Sequence, residues 1–336
     1  ISITNVESLE FRTLRNEIEQ NQVIINQERL TGSNWSLSNP ESIALTNRIN
    51  DAGTTLENYL GVDIYWGVKT GLNEAFIIDA ETREQIISRD PDSERFIFRL
   101  MKGDDAERYL SGFSDRYLIR VPSGWTMAES GLTSETEAWG WLASEHPGIA
   151  EHLETFREDA QSRYDRGECW WELRPCDYYD VFERDKIVYP EISDGPRFSL
   201  DFDGTYTNNK CFVIPETDYA LVGILNSTLG EFWARNKLST VRGGYLEYRT
   251  VHLSEFPVVA TSESELPSAV KNIIDLISER RTFNLNLLDY IQPYSNGPSL
   301  TDVSIYQPPE GVGDTKLAAT KEDYENIRVG AVTCER

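Results

Sequence analysis

The run Trp66-Gly67-Val68-Lys69-Thr70-Gly71-Leu72-Asn73-Glu74-Ala75-Phe76, opening into Ile77-Ile78-Asp79, sets one cation among glycines and small polar side chains. Gly67 and Gly71 stand two residues either side of Lys69. Glycines there let the backbone turn tightly and approach a ligand, and a lysine supplies a point charge suited to phosphate. A nucleotide-binding phosphate loop needs glycine directly before its lysine; Val68 holds that place, so a triphosphate site is rejected. Taken alone, the run reads as a structural turn between two strands.

Outward from this run, from about Gly61 to Val259, the texture is of short β-rich segments separated by turns. Strands are predicted over Asp63 to Val68, Ala75 to Ile78, Tyr117 to Val121, Ile187 to Tyr189, Phe198 to Phe202 and Cys211 to Ile214. Helices interrupt them. One is expected from about Pro147, with Ile149, Leu153, Phe156, Ala160 and Tyr164 on one face and a stop at Gly167; another carries Leu221, Leu225, Leu229 and Trp233, with Thr217 or Asp218 as cap. Before residue 61 the pattern is helical. Phe11, Leu14, Ile18 and Ile25 share a face, Asn39-Pro40 is a helix start, and Leu45, Ile49, Ala52, Leu56 and Tyr59 form an apolar seam. After Pro257, Leu266, Val270, Ile273, Ile274 and Ile277 make a second helical stripe, with a break expected near Glu279, Arg280 and Arg281. This predicts an α+β fold: a β-rich unit at 61–259 with inserted helices, helical spacers at 1–60 and 260–292, and a Pro/Gly-rich tail at 293–336.

The composition excludes several classes. The chain of 336 residues is 39% hydrophobic with eight tryptophans and 16 tyrosines, far from a disordered composition. No stretch approaches the ~20 apolar residues of a membrane span, so no membrane partner is expected. The start at Ile1, with nothing resembling a signal peptide, reads as a fragment or processed product. Cys169, Cys176, Cys211 and Cys334 form no Cys-x-x-Cys pair, and His146, His152 and His252 lack metal-ligand spacing from them, so no metal is expected. Sparse cysteine fits a reducing cytoplasm. The net charge is −24, and 24 arginines stand against eight lysines, a balance like that of proteins from salt-rich cytoplasm. The Debye length shrinks to ~3 Å at 1 M, so there an acidic surface would repel DNA much less.

Four more segments mix cations or amides with aromatics: Trp170-Trp171-Glu172-Leu173-Arg174-Pro175-Cys176-Asp177-Tyr178-Tyr179, Lys186 to Pro190, Asn208-Asn209-Lys210-Cys211-Phe212, and Arg235-Asn236-Lys237 through Arg242-Gly243-Gly244-Tyr245. Arginine and lysine reach phosphates or guanine edges, asparagine pairs with adenine, and aromatics stack. Single members have plainer uses: Trp170, Tyr179 and Val188 suit a core, and Asn208-Asn209 suits a turn. The order of the segments resembles the TaqI-like C-terminal specificity domain of type IIG restriction-modification enzymes and of adenine methyltransferases in phage-exclusion systems (BREX, PglX-like). The matching pieces are GVKTGLNEAF (67–76), RYLIRV (116–121), WWELRPCDYY (170–179), KIVYPEI (186–192), PRFSLDFDGTYTNNKCFVIP (196–215), LVGILNSTLGEFW (221–233) and RGGYLEYRTVHLSEFPV (242–258).

The resemblance implies a module that reads a short duplex sequence and presents one flipped adenine to a covalently linked N-terminal methyltransferase domain, the chain itself being non-catalytic. Lys69, Thr70 and Asn73 in the turn, Arg242 with Gly243 and Gly244 in a second close-approach loop, and Arg235, Lys237 and Arg249 beside it are the expected DNA contacts. Trp171, Arg174, Tyr178, Arg197, Asn208, Asn209 and Lys210 are further candidates. An adenine methyltransferase also needs a glycine-rich cofactor loop and an Asn-Pro-Pro-Tyr-like tetrapeptide. Asn39-Pro40-Glu41-Ser42 and Gln307-Pro308-Pro309-Glu310 both fail that pattern, so no cofactor is expected on this chain, and S-adenosylmethionine belongs to the linked domain. Two other readings stand beside this one. An acidic DNA mimic or protein-interaction module would spread carboxylates over the face carrying Lys69 and Arg242. A metal-dependent nuclease fragment would use Asp302, Asp314 and Lys316.

Overall fold

The structure is a computed structural model and describes residues 2–4, 13–24, 40–241, 243–259 and 265–291. The chain divides into two units, Ile1–Ile274 and Asp275–Arg336. At the start, β1 (Ser2–Thr4) and β2 (Gln22–Ile24) pair antiparallel, with helix α1 (Leu14–Asn21) between them in sequence. The expectation of helix alone is corrected there; Phe11 and Ile25 lie outside the described residues. Helix α2 (Pro40–Ala52) begins at the expected proline, whereas its proposed cap Asn39 lies outside the described residues. The seam from Leu45 to Tyr59 does not run along one helix. It is interrupted after Gly53, where β3 (Thr54–Thr55) pairs with a distant strand and α3 (Leu56–Leu60) starts afresh, capped by Thr55 Oγ1. Glycine is needed at 53 because a Cβ would sit 2.6 Å from the Val258 carbonyl oxygen.

The central part opens with β4 (Tyr65–Trp66), α4 (Asn73–Phe76), β5 (Ile77–Asp79), α5 (Ala80–Arg89), β6 (Ile97–Met101), β7 (Tyr109–Leu110) and β8 (Arg116–Ile119). Helices α6 (Trp125–Ser130), α7 (Glu135–Glu145), α8 (Pro147–Glu154), α9 (Arg157–Ser162) and α10 (Tyr179–Phe182) follow. Then come β9 (Lys186–Pro190), β10 (Ile192–Ser193), β11 (Ser199–Asp201), β12 (Tyr206–Thr207) and β13 (Cys211–Ile214). The last group is α11 (Tyr219–Leu225), α12 (Thr228–Lys237), β14 (Ser239–Val241), β15 (Tyr245–Glu247), α13 (Thr250–Leu253), β16 (Pro257–Val258) and α14 (Leu266–Ile291). The fold is α+β, with several small sheets among many helices.

Expectation and structure part at several places. Ala75 and Phe76 are helical, and the strand begins only at Ile77. The apolar series from Ile149 to Tyr164 is cut at Thr155-Phe156 into α8 and α9, leaving Tyr164 98% exposed. The series from Leu221 to Trp233 is likewise cut between α11 and α12, and Leu229 faces solvent while Asp218 caps α11 through the Ala220 and Leu221 amides. The break expected near Glu279 does not occur, since α14 runs on to Ile291.

A five-stranded sheet in the order β4-β13-β9-β11-β7 organises the two cores. Its central strand β9 is buried throughout, and the period of two sends its side chains to opposite faces. Val188 joins Val213 and Cys211 in a cluster with Phe76, Leu118, Trp170 and Trp171. Ile187 and Tyr189 join Phe212, Ile214, Leu221 and Trp233 in the other. A sheet covered on both faces needs near-continuous apolar strands, as β9 and β13 are. Within β9, Lys186 is the exception: fully buried, it donates to Asp201, to the Phe182 carbonyl (2.6 Å) and to the Arg184 carbonyl. A second sheet, β12-β6-β8-β5, lies within the first cluster, and a third, β10-β15-β14, ends in the Gly243-Gly244 turn. No described helix is long and apolar enough to cross a membrane. Cys169, Cys176 and Cys211 are free thiols, and among the described residues no cluster of His, Cys, Asp and Glu is placed to hold a metal ion.

Candidate nucleic-acid interface

The Gly67–Asn73 turn is fixed from three directions. The Gly67 amide donates to the Cys211 carbonyl (3.0 Å) and the Val68 amide to the Thr207 carbonyl (2.6 Å), while Val68 and Asn208 form a parallel bridge. Gly67 admits this approach only because it lacks a Cβ, which would stand 1.9 Å from the Asn208 carbonyl oxygen. Gly71 takes a left-handed conformation at φ 71°, and beside it Thr70 Oγ1 donates to Asn73 Oδ1 at 2.8 Å. Buried Arg163 closes the turn from below: its guanidinium donates to the carbonyls of Thr70, Trp170 (3.0 Å) and Glu172 and lies 4.2 Å from the Phe76 ring centroid. Burial, with repulsion from Arg166, pushes Arg163 down to about 10, so it stays charged at neutral pH.

One arginine thus ties the 67–76 run to the 170–179 run. In that second run Trp171 is fully buried, with Nε1 donating to Thr126 Oγ1, and it is a core residue, not a DNA contact. Glu172, also buried, accepts from the Gly124, Thr126 and Cys169 amides and holds the segment at the start of α6. The chain then turns outward, delivering Arg174, Asp177 and Tyr178 to the surface.

Together these segments line a cleft of about 470 Å³. Its walls are Trp66 to Lys69, Arg174 to Tyr179, Glu191, Asn209 and Lys210. Three runs far apart in sequence, 66–69, 174–179 and 209–210, therefore meet at one site. Tyr65 packs against Tyr178 in a tilted pair with ring centroids 4.7 Å apart, and burial pushes the Tyr178 phenol up to about 12. The cations carry partners: Asp165 receives both Lys69 (3.1 Å) and Arg174 (3.3 Å), and Glu191 receives Lys210 (3.4 Å). A smaller cavity of about 270 Å³ shares Glu191 and Lys210 with the cleft and continues it past Asn208. Asn208 Oδ1 accepts from the Lys210 amide and so serves the turn, whereas Asn209 faces the cleft.

Other expected contacts lie elsewhere. Arg197 and Arg235 line a separate cavity of about 410 Å³ with Arg108; Arg197 pairs with Asp194, and Arg235 and Arg108 with Glu231. Lys237 is exposed at the end of α12, and Arg249 pairs with Glu247 at 2.8 Å. Gly243 and Gly244 adopt φ of 88° and 81° in the β14–β15 turn; Arg242 lies outside the described residues. Thr70 is buried, so its contribution is to the turn and not to a surface. The sequence singles out neither Trp66, which appears only within the opening run, nor Glu191, which appears only within KIVYPEI, and it gives no sign of Arg163 or Asp165. The glycine spacing around Lys69 pointed at the place, but nothing local distinguishes one acid among 56.

Residues 98–258 match the family model of the TaqI-like C-terminal specificity domain. Over those residues the chain is similar to a TaqI-like specificity domain. Lys69 and its turn precede the matched residues, but β4 pairs with β13 and Lys69 with Asp165, both of which lie within the match. Among solved structures, the chain is similar to the type IIL restriction-modification enzyme MmeI in complex with DNA (16% identity, TM-score 0.44, covering 65% of this chain and 28% of that one). It is also similar to the type IIG restriction endonuclease BpuSI (8% identity, TM-score 0.40, covering 69% and 28%). The chain thus spans less than a third of the length of either. No curated protein matches it.

Proposed function

We propose that this TaqI-like specificity domain is the sequence-reading module of a larger restriction-modification enzyme, of type IIG or a related N6-adenine methyltransferase. It holds duplex DNA so that a linked methyltransferase domain reaches one adenine, and it performs no catalysis itself. One observation carries the reading: in a protein of net charge −24, the cleft that gathers Lys69, Arg174, Lys210, Trp66, Tyr178 and Asn209 is locally balanced, its three cations standing against the lining carboxylates Asp177 and Glu191 and against Asp165, which pairs with Lys69 and Arg174. An acidic DNA mimic requires carboxylates in excess at this face. The β14–β15 hairpin suits a groove-reading element, because a two-stranded ribbon fits the major groove and its paired glycines remove side-chain obstruction at the tip.

S-adenosylmethionine is assigned to the linked domain. The glycine-bounded turn of this chain is closed by the Asn208 carbonyl and by Asp165, so its residues do not fit an adenosyl group. The alternative nuclease residues Asp302, Asp314 and Lys316 lie outside the described residues. A cytoplasmic location and a salt-rich one are further parts of the proposal.

The test is binding of the chain to duplex DNA across a salt series. Each phosphate contact contributes about 0.9 to the slope of log K against log salt. Substituting Lys69, Arg174 and Lys210 by alanine together should therefore lower the slope by about 2.7. An unchanged slope in the triple variant removes the cleft from the interface, and absence of any DNA binding by the wild type overturns the function.

A further inference from the structure

The cleft has the wrong shape for reading a groove and the right shape for a single base. Groove readers are convex, a helix or a ribbon that enters the DNA. Here the surface is concave, about 470 Å³, with aromatic walls and a cationic rim. One wall is Trp66, 64% exposed and, among the described tryptophans, the one presented to solvent. A single exposed apolar side chain is ordinary by itself; what marks Trp66 is its place on the wall of a cationic cleft. Its position is nonetheless rigid: β4 pairs with β13 at Phe212↔Trp66, and the ring stands 6.0 Å from Phe212. Next in sequence comes Gly67, locked by the hydrogen bond its amide donates to the Cys211 carbonyl. Opposite, Tyr178 is held in place by Tyr65. Lys69, Arg174 and Lys210 surround these rings with charge complementary to phosphates.

We infer that the cleft takes up one unstacked nucleotide of the bound DNA, with Trp66 stacking on its base and the three rim cations holding the flanking phosphates. This rests on the DNA-recognition reading and adds a second base site, distinct from the one in which a methyltransferase domain would hold its target adenine. Stacking on an indole tolerates any base, because every base has a π-face; the site therefore serves to hold a distorted duplex and not to read its sequence. Asn209, exposed at the cleft wall, is the side chain placed to meet the base edge.

The experiment uses three fluorescein-labelled duplexes of one sequence: fully paired, carrying a single-nucleotide bulge, and carrying an abasic bulge. They are titrated with the wild-type chain, Trp66→Ala and Trp66→Phe, each first checked by circular dichroism for an unchanged melting profile. The bulge spares the protein the cost of unpairing, so the wild type should bind the bulged duplex roughly tenfold tighter than the paired one. Trp66→Ala should lose about 5- to 150-fold on the bulged duplex and little on the abasic one, and Trp66→Phe should keep most of the preference. Equal wild-type binding to bulged and abasic duplexes, or a Trp66→Ala loss shared by all three, overturns the inference while leaving DNA recognition standing. Wild-type failure on every duplex overturns the DNA-recognition reading, and the base site with it.

Discussion

Replacing Gly67 by alanine tests whether the cleft is built as described. The residue needs no positive φ, so the cost is one of space. An alanine Cβ would lie 1.9 Å from the Asn208 carbonyl oxygen, 2.5 Å from its carbon and 2.7 Å from the Thr207 oxygen, all backbone atoms with no rotamer to escape through. Restoring ordinary contact at about 3.4 Å moves one backbone by about 1.5 Å. That shift breaks the Val68 to Thr207 bond and the Gly67 to Cys211 bond. At about 1 kcal/mol net for each hydrogen bond, with about 1–3 kcal/mol for overpacking, the loss is about 3–5 kcal/mol. This is a large share of the ~5–15 kcal/mol that holds a domain together. The assay is thermal melting beside Gly61→Ala, where the added methyl meets no atom within 4 Å and only the left-handed backbone at φ 63° resists, at about 1–2 kcal/mol. Gly67→Ala should melt well below that control and should lose DNA binding even at temperatures where it stays folded, because Trp66 and Lys69 sit on either side of the displaced bond. A Gly67→Ala variant that melts with the wild type and binds DNA equally would refute the close approach of Gly67 to Asn208.

Three further outcomes follow from packing and charge. Gly140 lies exposed within α7 with nothing within 4 Å of an added Cβ, so Gly140→Ala should stabilise the chain by about 0.8–1 kcal/mol, read as a higher urea midpoint at unchanged m-value. Lys186→Met should cost about 3–5 kcal/mol, because it leaves buried Asp201 without its cation; denaturant titration checks it, and a loss under 1 kcal/mol counts against the pair. His152 gives a pH dependence of defined sign. Burial holds its imidazole below the ordinary 6.5, against the smaller opposing effect of the Ala75 carbonyl 2.9 Å from Nε2. The unfolded chain therefore takes the proton first, and stability contributed by the neutral ring, full above about pH 6.5, is lost as pH falls through the folded-state value. His152→Gln should flatten the fall in melting temperature between about pH 7 and pH 5, and parallel curves for variant and wild type would remove His152 from the acid limb.

The parts legible in the sequence were those where one physical signal acts alone. β13 begins and ends where Cys211-Phe212-Val213-Ile214 does, since four apolar residues between a polar turn and Pro215 admit little else. The α+β class followed from many such short runs. Long apolar series misled, because Ile149 to Tyr164 and Leu221 to Trp233 each keep helical spacing across a break that only tertiary packing reveals. At the site, Lys69, Arg174, Tyr178, Asn209 and Lys210 could be named from residue type. What could not be read was their assembly, which depends on Arg163 reaching three carbonyls across two segments and on Asp165 holding two cations. Neither residue has a local signature, and Trp171, next to the buried Trp170, gives no sign in sequence of which way it points.

A protein this acidic has to hold DNA against its own field, and the ion pairs indicate how that works on the DNA-recognition reading. Lys69 and Arg174 share Asp165, Lys210 has Glu191, Arg197 has Asp194, Arg235 has Glu231 and Arg249 has Glu247. Exposed pairs of this kind are worth about 0–1 kcal/mol each, so a phosphate can displace the carboxylate, but it gains only the difference. Binding to arbitrary DNA, which consists of phosphate contacts alone, therefore begins from cations already half-spent. A duplex that also fills the cleft adds stacking on Trp66, which has no competing partner charge and is not screened by salt as ion pairs are. The carboxylates thus weaken every site equally in electrostatic terms, so the difference in affinity between sites is unchanged while a larger share of the affinity that remains depends on shape. The acidic balance is then compatible with a specificity module for a physical reason: it suppresses the part of DNA binding that carries no sequence information.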